Sequence, residues 1–309
     1  MCRMTGTSTG PAAYLLCHNE IRVAMRILSL VFLAFVTVFA LPAAAEVKVI
    51  RDVIYHEAPG LDPGDVRADV YIPEGAKDAP MVIMMHGGAW TFGNKQNALG
   101  MYQAKYFTDQ GFVFIAMNYR LAPSHRFPAQ EEDAAAAIAY FHEHAKEFGA
   151  DPDKLFLMGH SAGAHMAALV AIDPDYLDAF GLKTDVIKGV AALDSAAYNL
   201  SRTGRDGDIP DFYHPAFTGD DRDVWAAASP TLLVEEETPI PPFLLLYVDR
   251  AVAPARAKEL AETLKGKGHK AEARLVKKRS HKSLNDRLGA KGDKAAPMIV
   301  EFFREQLAD

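Results

Sequence analysis

The stretch LFLMGHSAGAHMAALVAI, residues 155–172, decides the fold. Leu155 to Met158 is apolar without alternation, the pattern of a short strand covered on both faces. Ala164 to Ile172 reads as a buried helix. Between the two lie Gly159, His160, Ser161, Ala162 and Gly163, so the chain passes from strand to helix within five residues. Small residues flanking Ser161 leave room for a sharp turn, which would push the serine hydroxyl outward. Amides of the helix's first turn then lie close to that hydroxyl, where they favour developing negative charge. A serine that merely caps a helix beside packing glycines is the plainer alternative. The strand before the motif and the helix after it give the sharper reading its weight.

Working outward, short apolar runs recur at Val47 to Tyr55, Val66 to Ile72, Met81 to Met85, Phe112 to Met117, Leu155 to Met158, Val186 to Leu193, Phe243 to Val248 and Ala271 to Val276. They read as eight strands. Helical stretches alternate with the later ones: Gln96 to Asp109, Ala129 to Phe148, Ser161 to Ile172, Pro254 to Lys265 and Ala295 to Leu307. This pattern predicts an α/β fold with a mostly parallel sheet and helices on both faces. Residues 196–238 break the alternation. They are rich in Asp, Gly and Pro and carry Tyr198, Phe212, Tyr213, Phe217 and Trp225. An irregular segment this long in a compact domain is expected to be a lid or substrate loop. Its RDGDIPD and GDDRD clusters lack the full spacing of a calcium loop, so no metal site is expected there.

Residues 86–90, HGGAW, follow the third apolar run. A serine that attacks an acyl carbon creates an oxyanion, which preorganised backbone N–H donors must stabilise. Paired glycines let backbone approach that close. Besides HGGAW and GHSAGAH, the chain has NYRLAPSHRFPAQEEDAAAAIAYF at 118–141. With these three motifs in this order, the chain resembles the α/β-hydrolase superfamily, in particular the carboxylesterases and lipases related to hormone-sensitive lipase. The likeness covers nearly all of residues 46–309 and implies the α/β-hydrolase fold.

The resemblance implies roles for individual residues. Ser161 would be the nucleophile, and the N–H groups of Gly88, Ala89 and Ala162 would form the oxyanion hole, with His86 bracing the loop. Ala89 replaces the third glycine of HGGG, and Trp90 follows it, a form similar to the H-G-G-x-W of arylformamidases and some exported esterases. Trp90 could wall the substrate pocket or simply pack. The base should follow the last strand, as His281 does in KKRSHKSLND, whereas His125, His142, His144, His165 and His269 are less well placed. The acid should follow the seventh strand, where Asp249 is the only carboxylate between Glu237 and Glu259. Family members place this acid a few residues deeper in the loop, and Arg250 could pair with Asp249 instead. Asp194, after the sixth strand, is then the fallback.

Residues 25–45, MRILSLVFLAFVTVFALPAAA, have a positive start, an uncharged apolar segment and small residues before Glu46, the pattern of a signal peptide. The apolar segment is shorter than a span normally needs, so stable membrane insertion after cleavage is not expected. The reading is an N-terminal extension and signal peptide over 1–45 and one hydrolase domain over 46–309, periplasmic or secreted, with the start codon open between Met1 and Met25. Cys2 and Cys17 both precede Glu46, which leaves the mature chain without thiol chemistry. The full chain has 33 Lys and Arg against 40 Asp and Glu; Arg3, Arg22, Arg26 and Glu20 precede Glu46, so the mature charge becomes −9. That argues against nucleic acid as a partner. Residues 265–294 nevertheless hold 11 Lys or Arg against 3 Asp or Glu, either a solvated basic face or a surface for anionic substrate or envelope. The expected activity is hydrolysis of short to moderate acyl esters, on small molecules or carbohydrate, through an acyl-enzyme and without a cofactor. An arylformamidase and a catalytically inactive binding scaffold are the alternatives.

Overall fold

The computed structural model describes residues 47–57, 61, 62, 64–202, 211–217 and 221–308. The expected signal peptide lies outside them, as do parts of the 196–238 segment. One sheet contains β1 (Lys48–Ile54), β2 (Arg67–Ile72), β3 (Ala79–Met85), β4 (Val113–Met117), β5 (Ala150–His160), β6 (Ile187–Leu193), β7 (Phe243–Tyr247) and β8 (Ala271–Leu275). The helices that bear on the site and core are α1 (Gln103–Asp109), α2 (Ala129–Glu143), α3 (Ala162–Ile172), α4 (Asp175–Asp178), α5 (Arg222–Ala227), α6 (Ala253–Gly266), α7 (His281–Asp286) and α8 (Ala295–Gln306). Strand order is β1-β2-β4-β3-β5-β6-β7-β8. β1 and β2 make an antiparallel edge, and every pairing from β4 to β8 is parallel. The eight expected strands and the mostly parallel sheet with helices on both faces are all present.

Continuous apolar runs work here because each strand feeds two cores. Met81, Ile83 and Met85 of β3 pack with Leu155 and Leu157 of β5 beneath α2, α3 and α6. Val82 and Met84 point the other way, joining Phe156 and Met158 against Phe107 of α1 and Ile299, Val300 and Phe303 of α8. Side chains alternate faces along a strand. Burying both faces therefore demands apolar residues at every position, and the sequence supplies them.

Two local expectations shift. The helix anticipated from Gln96 starts only at Gln103, because Asn94 and Asn97 capture backbone amides first. The Asn94 side-chain oxygen accepts from the N–H groups of Gln96 (2.9 Å) and Asn97 (2.8 Å), an arrangement that competes with helix. Conversely, α7 was not expected. Its start is fixed by a capping box in which Ser280 and Ser283 each accept from the other's backbone N–H.

The parallel strands all end on one edge of the sheet, so the segments after β3, β5, β6, β7 and β8 converge there. Beyond the β3 loop, the chain is tied down by Lys95. Its ammonium is buried against Asp69 of β2 and lies 3.0 Å from Asp52, while its N–H donates to Asn118 Oδ1 at 2.8 Å. Burying an ammonium this deep is costly without such partners.

Candidate active site

Ser161 sits one residue beyond β5, at φ 57° and ψ −115°. A non-glycine residue at positive φ costs about 1–3 kcal/mol and needs surrounding structure to hold it. Here its N–H donates to Leu193 O at 2.9 Å, and α3 departs at once. The flanking glycines are steric requirements. A Cβ on Gly159 would stand 2.1 Å from Gly163 O, and one on Gly163 would stand 2.1 Å from Met85 O.

His281, the first residue of α7, comes to this serine from the far side of the sheet edge. Ser161 Oγ lies 3.0 Å from its Nε2, and its Nδ1 lies 2.6 Å from Oδ2 of Asp194. An ionised carboxylate only accepts, so Nδ1 carries the proton and Nε2 is free to receive one from the serine hydroxyl. Asp194 is itself one residue beyond β6, at φ 54°, with its N–H donated to Leu246 O at 2.7 Å. It is buried, and its other oxygen accepts from the Val248 N–H at 3.1 Å. Arg250 supplies the remaining partners, with Nε donating to Oδ2 at 2.7 Å and Nη2 donating to the Asp194 carbonyl at 2.9 Å. Burial works to raise the Asp194 carboxyl. The His281 hydrogen bond, the Arg250 charge and the Val248 amide outweigh it and hold the group below the usual aspartate range.

His160 was not singled out from sequence. Its ring lies 4.5 Å from that of His281, tilted by 34°, and its Nε2–H donates to the His281 carbonyl at 3.0 Å. Burial first, and the neighbouring His281 second, push its pKa down to about 3, so it stays neutral. Nothing in the spacing of the motif identifies this second histidine as a support for the first.

The loop after β3 bends through three consecutive positive-φ residues: Gly88 at 134°, Ala89 at 48° and Trp90 at 58°. Gly88 is obligatory, since a Cβ there would fall 1.8 Å from Phe92 O. The N–H groups of Gly88, Ala89 and Ala162 meet no acceptor among the described residues. His86 lies beneath the loop, stacked 4.2 Å from Tyr119, whose hydroxyl donates to the His86 carbonyl at 2.9 Å. Burial holds the His86 imidazole near a pKa of about 4, which suits a neutral brace.

The chain is similar to known esterases. The BD-FAE family model matches residues 68–192, from β2 through β6. Over 250 residues the chain is 27% identical to a probable isoprenylcysteine alpha-carbonyl methylesterase, ICMEL1, of Arabidopsis thaliana, covering 76% of this chain and 51% of that one. Over 200 residues it is 30% identical to the esterase LipQ of Mycobacterium tuberculosis, covering 62% and 47%. The chain thus spans about half the length of these curated relatives. Among solved structures, a truncated carbohydrate esterase from gut microbiota superposes with a TM-score of 0.70 at 19% identity, over 86% of this chain and 98% of the other, a likeness of fold. The chain has the α/β-hydrolase fold, and its matches support a place in the carboxylesterase group related to hormone-sensitive lipase.

In this α/β-hydrolase two expectations are corrected. Asp249 does not meet the imidazole; it is exposed, and Asp194 stands in the place assigned to it. The reason is loop length. Only residues 248–252 join β7 to α6, too short a connection to carry a carboxylate deeper into the site, and the next residue, Arg250, turns back onto Asp194. Nor does Trp90 wall the pocket. It is 2% exposed, packed edge-on against His165 (5.1 Å), Tyr213 (5.2 Å) and Phe217 (5.0 Å), so it anchors the 196–238 segment to the body. The rival histidines are engaged elsewhere: His144 with the Tyr140 carbonyl, His165 with that of Ala228 and His269 with that of Glu235. Of the basic C-terminal stretch, Arg274, Arg279 and Lys282 pair with its own three acids, Glu272, Asp293 and Asp286, and Lys267 lies 3.7 Å from Glu235. No cluster of metal ligands occurs among the described residues, which leave out most of RDGDIPD and part of GDDRD; Asp221 of the latter caps α5.

Proposed function

We propose that this chain is an exported serine carboxylesterase acting on short to moderate acyl esters, carried by small molecules or carbohydrate. The observation that carries the reading is the continuous line from Ser161 Oγ through the His281 imidazole to Asp194, at 3.0 and 2.6 Å. Ser161 Oγ attacks the acyl carbon while His281 Nε2 takes its proton, and Asp194 stabilises the imidazolium and fixes its orientation. The carbonyl oxygen, now an oxyanion, is met by the N–H groups of Gly88, Ala89 and Ala162. Collapse expels the alcohol, which takes the proton from Nε2 and leaves an acyl-serine. A water then enters, gives its proton to His281 and releases the acid. Each proton that His281 takes is passed on within the same half-reaction, first to the departing alcohol and then back to Ser161 Oγ as the acid leaves, so no cofactor is called for. The names of the matched relatives support ester hydrolysis as the reaction class.

Turnover of p-nitrophenyl esters from acetate to decanoate tests this, with Ser161→Ala alongside. Ser161-dependent hydrolysis with an optimum among the shorter chains is expected. Folded protein inert on every ester, yet active on formanilides, would replace the reading with the arylformamidase one. Export rests on residues 25–45 and is checked by N-terminal sequencing of the native protein, which should begin at Glu46.

A further inference from the structure

Arg250 stands where the sequence placed the acid. It is one-third exposed, and its guanidinium is fastened at two points to a fully buried aspartate. Nε donates at 2.7 Å to the same carboxylate oxygen that His281 Nδ1 reaches at 2.6 Å, while Nη2 donates to the Asp194 main-chain carbonyl at 2.9 Å. Two cationic donors therefore converge on one oxygen once the imidazole is protonated. We propose that Arg250 is a positioning residue of the triad: it locks Asp194 for His281 and offsets part of the negative charge that would otherwise favour the imidazolium.

The inference rests on the serine-hydrolase reading of this site. Its physical basis is that an arginine with two donors in a fixed fork sets the plane of a carboxylate more firmly than one imidazole can. A lone Asp–His pair would also draw a proton onto the histidine, because an opposite charge nearby favours the charged form. Arg250 takes part of that attraction back, leaving Nε2 free for the Ser161 proton in more acidic surroundings. The other groups facing His281 do not supply this charge. His160, at the end of β5, is neutral; Ser161 carries none; and Lys282 of α7 is paired with Asp286. From the 196–238 segment, Tyr198 and Tyr213 feel the arginine, and burial keeps both hydroxyls protonated.

The test is a histidine-labelled NMR titration of the full chain, with the His281 signal assigned through His281→Gln. It is run on wild type, Arg250→Met and Arg250→Lys, beside pH profiles of kcat/KM on p-nitrophenyl acetate. Arg250→Met should move the His281 midpoint up by roughly one pH unit, with the acid limb of the profile following it. Arg250→Lys should restore most of the midpoint, because it keeps the charge, but not the kcat at high pH, because it loses the fork. Should Arg250→Met fold poorly, Arg250→Gln removes the same charge and is expected to show the same shift. A midpoint that stays within 0.2 unit of wild type in the Met or Gln variant overturns the inference while leaving the esterase reading intact. A shifted midpoint in the Arg250 variants, with no Ser161-dependent turnover in wild type, would overturn the esterase reading while leaving the coupling of Arg250 to His281 through Asp194 intact.

Discussion

Ser161 and Asp194 share one peculiarity of backbone. Each follows directly on a strand, each has φ near +55°, and the strand residues before them, His160 and Leu193, are register partners. The same bend at neighbouring strand ends presents a hydroxyl from β5 and a carboxylate from β6 to a single imidazole. This was beyond the sequence. Ser161 announces itself through its small neighbours and the strand-to-helix switch, and His281 through its position after the last strand. Asp194 depends on which strands adjoin and on how short the β7 connection is, and neither shows in spacing. Asp249 alone lies in the interval after β7 where the acid is expected, yet it faces solvent. Asp194→Asn should accordingly lower kcat by ~10³-fold or more, since it disturbs both tautomer and imidazolium. Asp249→Asn should stay within about twofold of wild type. An Asp194→Asn variant that stays within about twofold of wild type on the same ester would remove Asp194 from the mechanism.

At the level of elements, the site depends on how tightly strand ends and helix starts are set. The elbow has no spare volume: the spaces a Cβ would need at Gly159 and Gly163 are already filled by carbonyl oxygens. Gly163→Ala should therefore cost about 3 kcal/mol or more, read as a lower denaturation midpoint, because the fully buried α3 cannot retreat. A milder lever lies in α7. Losing its capping box in Ser280→Ala should remove about 1 kcal/mol of stability. Because His281 is the very next residue, kcat should fall while KM stays near wild type. Unchanged kcat with reduced stability would mean that His281 is held by His160 and Asp194 alone. The strands and long helices were legible because burial on two faces leaves an unmistakable apolar signature. α7 was not, since six residues with two buried side chains leave no periodicity to read.

For the molecule as a whole, the buried histidines set a limit on acid tolerance. His160 and His86 remain neutral in the fold, with pKa values pushed by burial to about 3 and about 4. Unfolded, each takes up a proton as pH falls through the ordinary imidazole range, so the unfolded state binds more protons and stability drops with pH. The slope is roughly 1.4 kcal/mol per pH unit for each histidine between about pH 6 and pH 4. Asp194 acts lower on the scale. Its depressed pKa contributes stability above the ordinary aspartate value, and that contribution is lost as pH falls through the folded one. Urea denaturation at pH 7, 6, 5 and 4 should show a steady loss that His160→Gln makes shallower. Stability flat from pH 7 to pH 4.5 would contradict the neutral, buried state of both rings.

The aromatic knot around Trp90 has one more consequence. The chain has two tryptophans. Trp90 lies against Phe217 at 5.0 Å and Trp225 lies against the same ring at 4.7 Å, so both indoles sit where the 196–238 segment meets the body. Native tryptophan emission thus originates where this segment packs on the body, and the molecule carries its own label-free optical gauge of whether that contact is seated.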